Sequence, residues 1–300
     1  GWRLRRSGHA NFPCHGAAVL LSRFHPTDFH VTHRFFVTFF TEESNVSLRI
    51  PIPPHPTEKK GTKRMRAIFK RELQGYFYTA AAYVYMGVFL TLGCVFFAIN
   101  NLAARSSDLN NLLWMMSYLW MLLTPILTMR SFAGERKART DQLLLTSPVS
   151  LWGVVGGKFL AACAVLLCSV ALSLVFVLIV ALYGQVYPQE LAVGYLGFIL
   201  QGCAFIALDM LISAQCRAPM TAAIVAFGGN LLLWLMDVLN AAIDIKIVNS
   251  ILTFISPYQR CAPFKLGQLS FANALYFVAA IFLCLFFSVR TLDARRWREA

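Results

Sequence analysis

The stretch that decides the fold is AAAYVYMGVFLTLGCVFFAI, residues 80–99, which contains no charged side chain. As an α-helix, a stretch of this length spans about 30 Å, which is the thickness of the hydrocarbon core of a bilayer. A helix is favoured in lipid because each backbone polar group then finds its hydrogen-bond partner within the same segment. Residues 80–99 therefore predict a membrane-spanning helix.

Five further apolar stretches follow, separated by polar segments. The chain is 58% hydrophobic and only 14% charged, with a mean hydropathy of +0.60. A soluble domain usually carries about 25% charged residues. The sequence therefore predicts an all-α integral membrane protein with six transmembrane helices, of which the second contains Pro125 and is expected to kink there. The five further predicted spans are residues 112–129, 154–182, 191–214, 220–239 and 271–289.

The first part of the chain differs in composition from the rest. Residues 1–64 contain all six histidines and 10 of the 27 lysines and arginines, but no sustained apolar run. Several prolines between positions 51 and 56 break any continuing element. We expect residues 1–64 to lie outside the folded domain, as an extension ahead of a start at Met65 or as a disordered basic arm. Residues 65–300 are expected to form the six-helix transmembrane domain.

Positive charge is distributed unevenly between the two sides that six spans define. The side with both ends of the domain holds 13 lysines and arginines, whereas the other side holds 4. The positive-inside rule therefore predicts that both ends are cytoplasmic. This bias also accounts for the basic balance of the chain, so no nucleic-acid partner is needed to explain it.

A basic and aromatic segment precedes the first span. Residues 65–78, MRAIFKRELQGYFY, combine Arg66, Lys70 and Arg71 with aliphatic and aromatic side chains. Such a pattern is typical of an amphipathic helix that lies in the headgroup plane. We therefore expect an interfacial helix with these three cations at the membrane surface.

Three charged residues lie within predicted spans, and one of them, Asp237, is near the outer end of the fifth and is expected to contact water. Lys158 follows Gly156 and Gly157 near the start of the third span. Its ammonium can extend to lipid phosphates, and the glycines allow another helix to approach closely. Asp209 lies in the fourth span, where an ionised carboxylate facing lipid would cost about 2.5–3.5 kcal/mol. We expect Asp209 to face the bundle or a subunit interface, either in a substrate path or as a polar packing contact.

The segment after the second span is the most informative for function. It reads PILTMRSFAGERKARTDQLLLTSPVSLWGVVGGKFLAA, residues 125–162. Its charges place it in water, a threonine can cap a helix, and a proline ends that helix after a leucine patch. The predicted short cytoplasmic helix either docks on a partner through its leucines or tucks them under the bundle. The residues that define it are Glu135, Arg136, Thr140, Leu143, Leu144 and Pro148.

This segment resembles the permease subunit of type-two ABC transporters, in particular the branch associated with gliding motility. The resemblance covers about residues 65–298. The matching residues of the segment are Pro125, Thr128, Met129, Arg130, Phe132, Ala133, Glu135, Arg136, Thr140, Leu143, Leu144, Ser147, Pro148, Val149, Gly157 and Lys158.

The resemblance implies a non-catalytic membrane subunit without a cofactor of its own. Residues 135–148 would form a coupling helix that docks on a dimer of ATP-binding subunits, which bind ATP and Mg²⁺. Residues 65–78 would be the interfacial elbow helix, and residues 241–270 an outer re-entrant region. A second permease copy or a related permease would complete the transporter, which would sit among lipids in the plasma membrane of a bacterium and export its substrate.

Two other classes of function stay open on the sequence. An integral membrane enzyme or assembly factor could act on lipids without coupling to ATP, but it would need several polar groups at one membrane depth. The sequence shows Asp209 in mid-span and no histidine after residue 64. A secondary transporter would usually show repeated halves and broken helices, and the sequence shows no clear internal repeat.

Overall fold

The computed structural model describes residues 58–138, 150–185, 187–242, 253 and 256–299. All the regular elements in these ranges are helical. We number the α-helices in chain order, and a short π-helical turn, Ala98–Ala103, extends the second of them. They are α1 Glu58–Tyr78, α2 Ala80–Phe97, α3 Leu109–Thr128, α4 Ala133–Lys137, α5 Leu151–Tyr183, α6 Pro188–Gln215, α7 Pro219–Ala242, α8 Pro257–Lys265 and α9 Phe271–Glu299.

Six of these helices, α2, α3, α5, α6, α7 and α9, are long and apolar enough to cross a membrane. The all-α membrane fold with six spans is therefore confirmed. We call the end of the bundle that carries α1 and α4 the basic end, and the end that carries α8 the far end. The far end also contains the connections between α2 and α3 and between α5 and α6.

Among the spans that begin earlier than the apolar pattern predicts, two have a polar side chain that caps the first turn. Helix α3 begins at Leu109, where the Asp108 carboxylate accepts a hydrogen bond from the Asn111 N–H at 3.1 Å. Helix α5 begins at Leu151, where the Ser150 hydroxyl accepts from the Gly153 N–H at 3.3 Å. Both caps satisfy N–H groups that the first turn of a helix leaves without partners.

Helix α1 is longer than the predicted interfacial helix. It begins at Glu58, so the division expected between residues 64 and 65 falls inside a continuous helix. Lysine, arginine and glutamate favour helix formation, which lets a charged segment extend an amphipathic one. The predicted helix over residues 65–78 is thus the second part of α1.

Helix α1 packs closely on α5 at the glycines that the sequence singles out. A Cβ atom added at Gly157 would lie 3.0 Å from Ile68 Cγ2 and 3.4 Å from the Met65 carbonyl oxygen. A Cβ atom at Gly156 would lie 3.4 Å from Met65 Cε. The predicted close helix approach at these glycines is confirmed, and its partner is α1.

The core of the bundle is aromatic and lies around α3. The Trp120 ring is fully buried and stacks on Phe89 of α2, with ring centroids 5.1 Å apart. Trp120 also packs against Phe198 of α6, at 4.6 Å. In the apolar stretch of α3, 61% of the residues are buried, compared with 17% in α7 and 22% in α9. Helix α3 is therefore central, while α7 and α9 present apolar surface outward.

Helix α8 lies against the far end of the bundle. Its Gln259 side chain donates a hydrogen bond to the Asp237 carboxylate of α7 at 2.8 Å. Phe264 is fully buried, and its side chain fills the space that Gly197 of α6 leaves open. These contacts attach α8 to two spans.

We predict that Gly157→Val lowers the thermal stability of the detergent-solubilised protein, because the new side chain would clash with Ile68 and push α1 away from α5. The expected loss is about 1–3 kcal/mol, the usual effect of overpacking. Adding Ile68→Ala should recover part of this loss. Gly87→Val is the matched control, since a Cβ at Gly87 meets nothing within 4 Å. Equal effects of Gly157→Val and Gly87→Val would contradict the packing argument.

Candidate coupling site

Four charged side chains meet at the basic end, and we call Arg71, Glu72, Glu135 and Lys158 the ion-pair cluster. The Lys158 ammonium lies 2.8 Å from Glu135 Oε1 and 3.0 Å from Glu72 Oε1. The Arg71 guanidinium lies 3.2 Å from Glu135 Oε1 and 3.4 Å from Glu72 Oε1. Two cations thus share two carboxylates, and the cluster joins α1, α4 and α5.

Burial of the ion-pair cluster is uneven. The Lys158 side chain is 2% exposed, the two glutamates are 16–17% exposed, and Arg71 is 67% exposed. The Lys158 ammonium also lies 5.6 Å from the centre of the Phe132 ring, which adds a cation–π contact. A buried ammonium is tolerated only when carboxylates compensate for the water that it loses. The position of Lys158 therefore requires both glutamates.

The structure divides the predicted membrane-interface cations into two groups. Arg66 and Lys70 are exposed on α1. Arg71 joins the ion-pair cluster, and the Lys158 ammonium meets two carboxylates where the sequence suggested lipid phosphates. Glu72 is among the residues that carry the resemblance to type-two permeases, but sequence reasoning gave it no role at this site. The scarcity of acidic residues here could have drawn attention to Glu72, because Glu72 and Asp108 are the only ones between positions 65 and 134.

The side chain of Arg136 holds the end of α6. Its guanidinium donates to the Cys216 carbonyl at 2.7 Å, and it also reaches the Gln215 and Ala214 carbonyls at 3.4 and 3.5 Å. Arg295 of α9 donates to the same Gln215 carbonyl at 3.1 Å. The last carbonyls of a helix lack partners within the helix and carry its negative dipole end. Two arginines therefore stabilise this end of α6.

Three further hydrogen bonds attach the region around α4 to its neighbours. The Ser213 hydroxyl of α6 accepts from the Phe132 and Ala133 N–H groups, both at 3.4 Å. The Tyr76 hydroxyl of α1 donates to the Leu127 carbonyl near the end of α3, at 3.3 Å. Burial raises the pKa of Tyr76, and the nearby Glu72 carboxylate acts in the same direction. Tyr76 therefore stays protonated and keeps this bond at physiological pH.

Of the predicted coupling residues, the structure describes Glu135 and Arg136. The other four, Thr140, Leu143, Leu144 and Pro148, lie outside the described residues. Glu135 and Arg136 are adjacent in α4 and point to different partners, the first to α1 and α5 and the second to α6. A displacement of α4 would therefore act on three helices at once.

Asp209 lies inside the bundle, as expected. Its side chain is fully buried in α6, and its Oδ1 accepts a hydrogen bond from Asn230 Nδ2 of α7 at 3.0 Å. Along α6, Asp209 lies well away from the far end and one turn from Ser213. The Ser213 hydroxyl accepts hydrogen bonds from the chain beside α4. Asp209 is thus close to the coupling site without belonging to it.

We predict that Lys158→Met destabilises the protein by about 3 kcal/mol, because it leaves two partly buried carboxylates with only an exposed arginine. Thermal unfolding in detergent measures the effect. Lys70→Met is the matched control, since Lys70 is exposed. Combining Lys158→Met with Glu72→Gln and Glu135→Gln should restore stability, because no uncompensated charge then remains. A triple variant less stable than Lys158→Met would contradict this account.

We predict that Arg136→Met loosens the end of α6, because hydrogen bonds to a charged donor contribute about 1.5–3 kcal/mol. Amide hydrogen exchange in residues 212–216 should accelerate about tenfold or more. Lys137→Met, an exposed neighbour in the same helix, should leave the exchange unchanged. Equal exchange rates in the two variants would show that Arg136 does not hold this helix end.

The comparison with known families agrees with this architecture. A family described as "ABC-2 family transporter protein" matches residues 56–290, which include five of the six membrane-spanning helices, most of the sixth and the whole ion-pair cluster. A search of curated proteins finds no significant match. Because the family match covers most of the chain, from α1 into α9, this protein belongs to the ABC-2 family of membrane transporter proteins.

Proposed function

We propose that this chain is the permease subunit of an exporter driven by ATP, which a separate ATP-binding subunit binds with Mg²⁺ and hydrolyses. Residues 135–148 form the coupling segment in this proposal. A movement of the ATP-binding dimer displaces that segment, and the segment displaces the spans. The observation that carries the proposal is the attachment of Glu135 and Arg136, at the start of the segment, to three helices.

The attachment suits the transmission of force. The Glu135 side chain connects α4 to α1 through Arg71 and to α5 through Lys158. The Arg136 side chain connects α4 to the end of α6. Ion pairs and short hydrogen bonds of this kind resist small displacements, so the junction moves as a unit. A partner that favours one position of the junction needs only a few kcal/mol of differential binding to shift a two-state bundle.

The proposed orientation follows from charge and agrees with the position of the site. The positive-inside rule places the basic end in the cytoplasm, where ATP is available. Arg66 and Lys70 are exposed on α1 at this end and can contact anionic headgroups. The proposal places the chain in the plasma membrane of a bacterium, beside a second copy or a related permease. The gliding-motility branch stays a prediction.

We predict that Leu143→Asp together with Leu144→Asp leaves membrane insertion intact but uncouples the chain from the ATP-binding subunit. Charged residues in a docking patch commonly weaken binding by about 2 kcal/mol or more, which corresponds to about 30-fold in affinity. The measurement is ATP hydrolysis that copurifies with the tagged chain from its native membrane.

A matched control is Leu266→Asp together with Leu269→Asp, which places the same charges on exposed leucines at the far end. The control should insert equally well and retain the copurifying ATP hydrolysis. Full retention of hydrolysis by the Leu143 and Leu144 variant would reject the coupling segment. Loss of hydrolysis in both variants would show a general effect of charge and would also count against it.

A further inference from the structure

A line of polar side chains runs along α3 through the interior of the bundle. Asn110, Ser117 and Thr124 recur every seven residues, which places them on one side of the helix. Ser117 and Thr124 are fully or almost fully buried. Each hydroxyl already donates to a carbonyl of its own helix, at 2.7 Å, and each can still accept a hydrogen bond.

Helix α6 runs beside α3 in the same direction, and residues of α6 lie next to these polar side chains at three positions along it. At the far end, Gly194 of α6 makes room for the Asn110 side chain. Further in, Gln201 and Ser117 line one small cavity. The Thr124 hydroxyl then lies beside the Asp209 carboxyl. We call this contact between α3 and α6 the polar seam.

Polar atoms on the polar seam lack hydrogen-bond partners from the protein. These buried atoms are Asn110 Oδ1, Trp120 Nε1, Gln201 Oε1, Gln201 Nε2 and Asp209 Oδ2, and a sixth, Asn230 Oδ1, belongs to the α7 side chain that bonds to Asp209. In a membrane, lipid cannot supply the missing bonds. Leaving six buried polar atoms without hydrogen bonds would cost about as much free energy as the folding of a typical domain provides. Something other than protein or lipid must therefore bond to them.

The mixture of donors and acceptors identifies the occupant. Trp120 Nε1 and the Gln201 amide nitrogen are donors, whereas the remaining atoms are acceptors. A cation would suit the acceptors but would face the two donors. Water both donates and accepts, so it can bond to every atom of the set.

The cavities along the polar seam have the size that water requires. A cavity of about 300 Å³ at the far end is lined by polar residues that include Asp108, Asn110 and Glu190. Asn110 also lines the inner cavity beside Gln201, whose volume of about 10 Å³ is close to the minimum for one water molecule. Asn110 thus lines both the far-end cavity and a smaller one beside Gln201 that fits water.

We propose that a file of bound water runs along the polar seam from the far-end cavity to Asp209. The first water occupies the cavity beside Gln201, and further waters bond to Trp120 Nε1 and to Asp209 Oδ2. From Gln201 to Asp209 the distance along α6 is about 12 Å, which roughly four waters cover. This bound water lies in the interior of the bundle and is separate from the proposed role of the basic end in coupling.

The test is X-ray footprinting of the full-length protein in nanodiscs. Radiolysis of bound water produces hydroxyl radicals that oxidise adjacent side chains, including buried ones, and mass spectrometry locates the products. Trp120, which is fully buried, should be oxidised, whereas Phe176, a buried ring of α5 outside the polar seam, should not. An unoxidised Trp120 would overturn the proposal.

Variants distinguish oxidation of Trp120 by bound water from oxidation that follows a general loosening of the fold. Gln201→Leu removes two polar atoms that hold the first water, so oxidation of Trp120 should fall by about tenfold. Ser117→Ala should lower it less, and Ser173→Ala, at a buried serine of α5, should leave it unchanged. Unchanged oxidation of Trp120 in both polar-seam variants would overturn the proposal.

Discussion

The Lys158 ammonium is the constraint on which the basic end depends. It is 2% exposed and can remain charged there only between two carboxylates, at 2.8 and 3.0 Å. Glu72 belongs to α1 and Glu135 to α4, so both helices must lie against α5. Apolar packing alone would not enforce this, because lipid tails are as apolar as the side chains that they would replace. Charge pairing therefore specifies which helices meet.

The glycines beside Lys158 make this pairing geometrically possible. Gly157 leaves 3.0 Å between a notional Cβ and Ile68, so α1 approaches α5 more closely than any larger residue would allow. This approach brings Glu72 within reach of Lys158. Small residues and a buried charge thus act together, the first by removing bulk and the second by giving the approach its specificity.

Much of the fold could be predicted from sequence because its signals are local. Each span is a continuous apolar stretch, and lipid forces such a stretch into a helix whatever its neighbours are. The span ends were less predictable, because caps such as Asp108 and Ser150 act through a single hydrogen bond. Lys158 and Asp209 are far in sequence from their partners, Glu72 and Asn230, and only the packing of helices brings each pair together.

Helix α6 connects the two polar regions of the molecule. Its end is held by Arg136 and Arg295, and its Ser213 bonds the chain beside α4. One turn further in, Asp209 meets Asn230, and two turns beyond that Gln201 reaches the small cavity. A rigid helix transmits a displacement of its end along its whole length, and α6 is rigid because the bundle packs around it. A displacement of α4 that moves the end of α6 would therefore be transmitted to the polar seam, where we propose that bound water completes the hydrogen bonds.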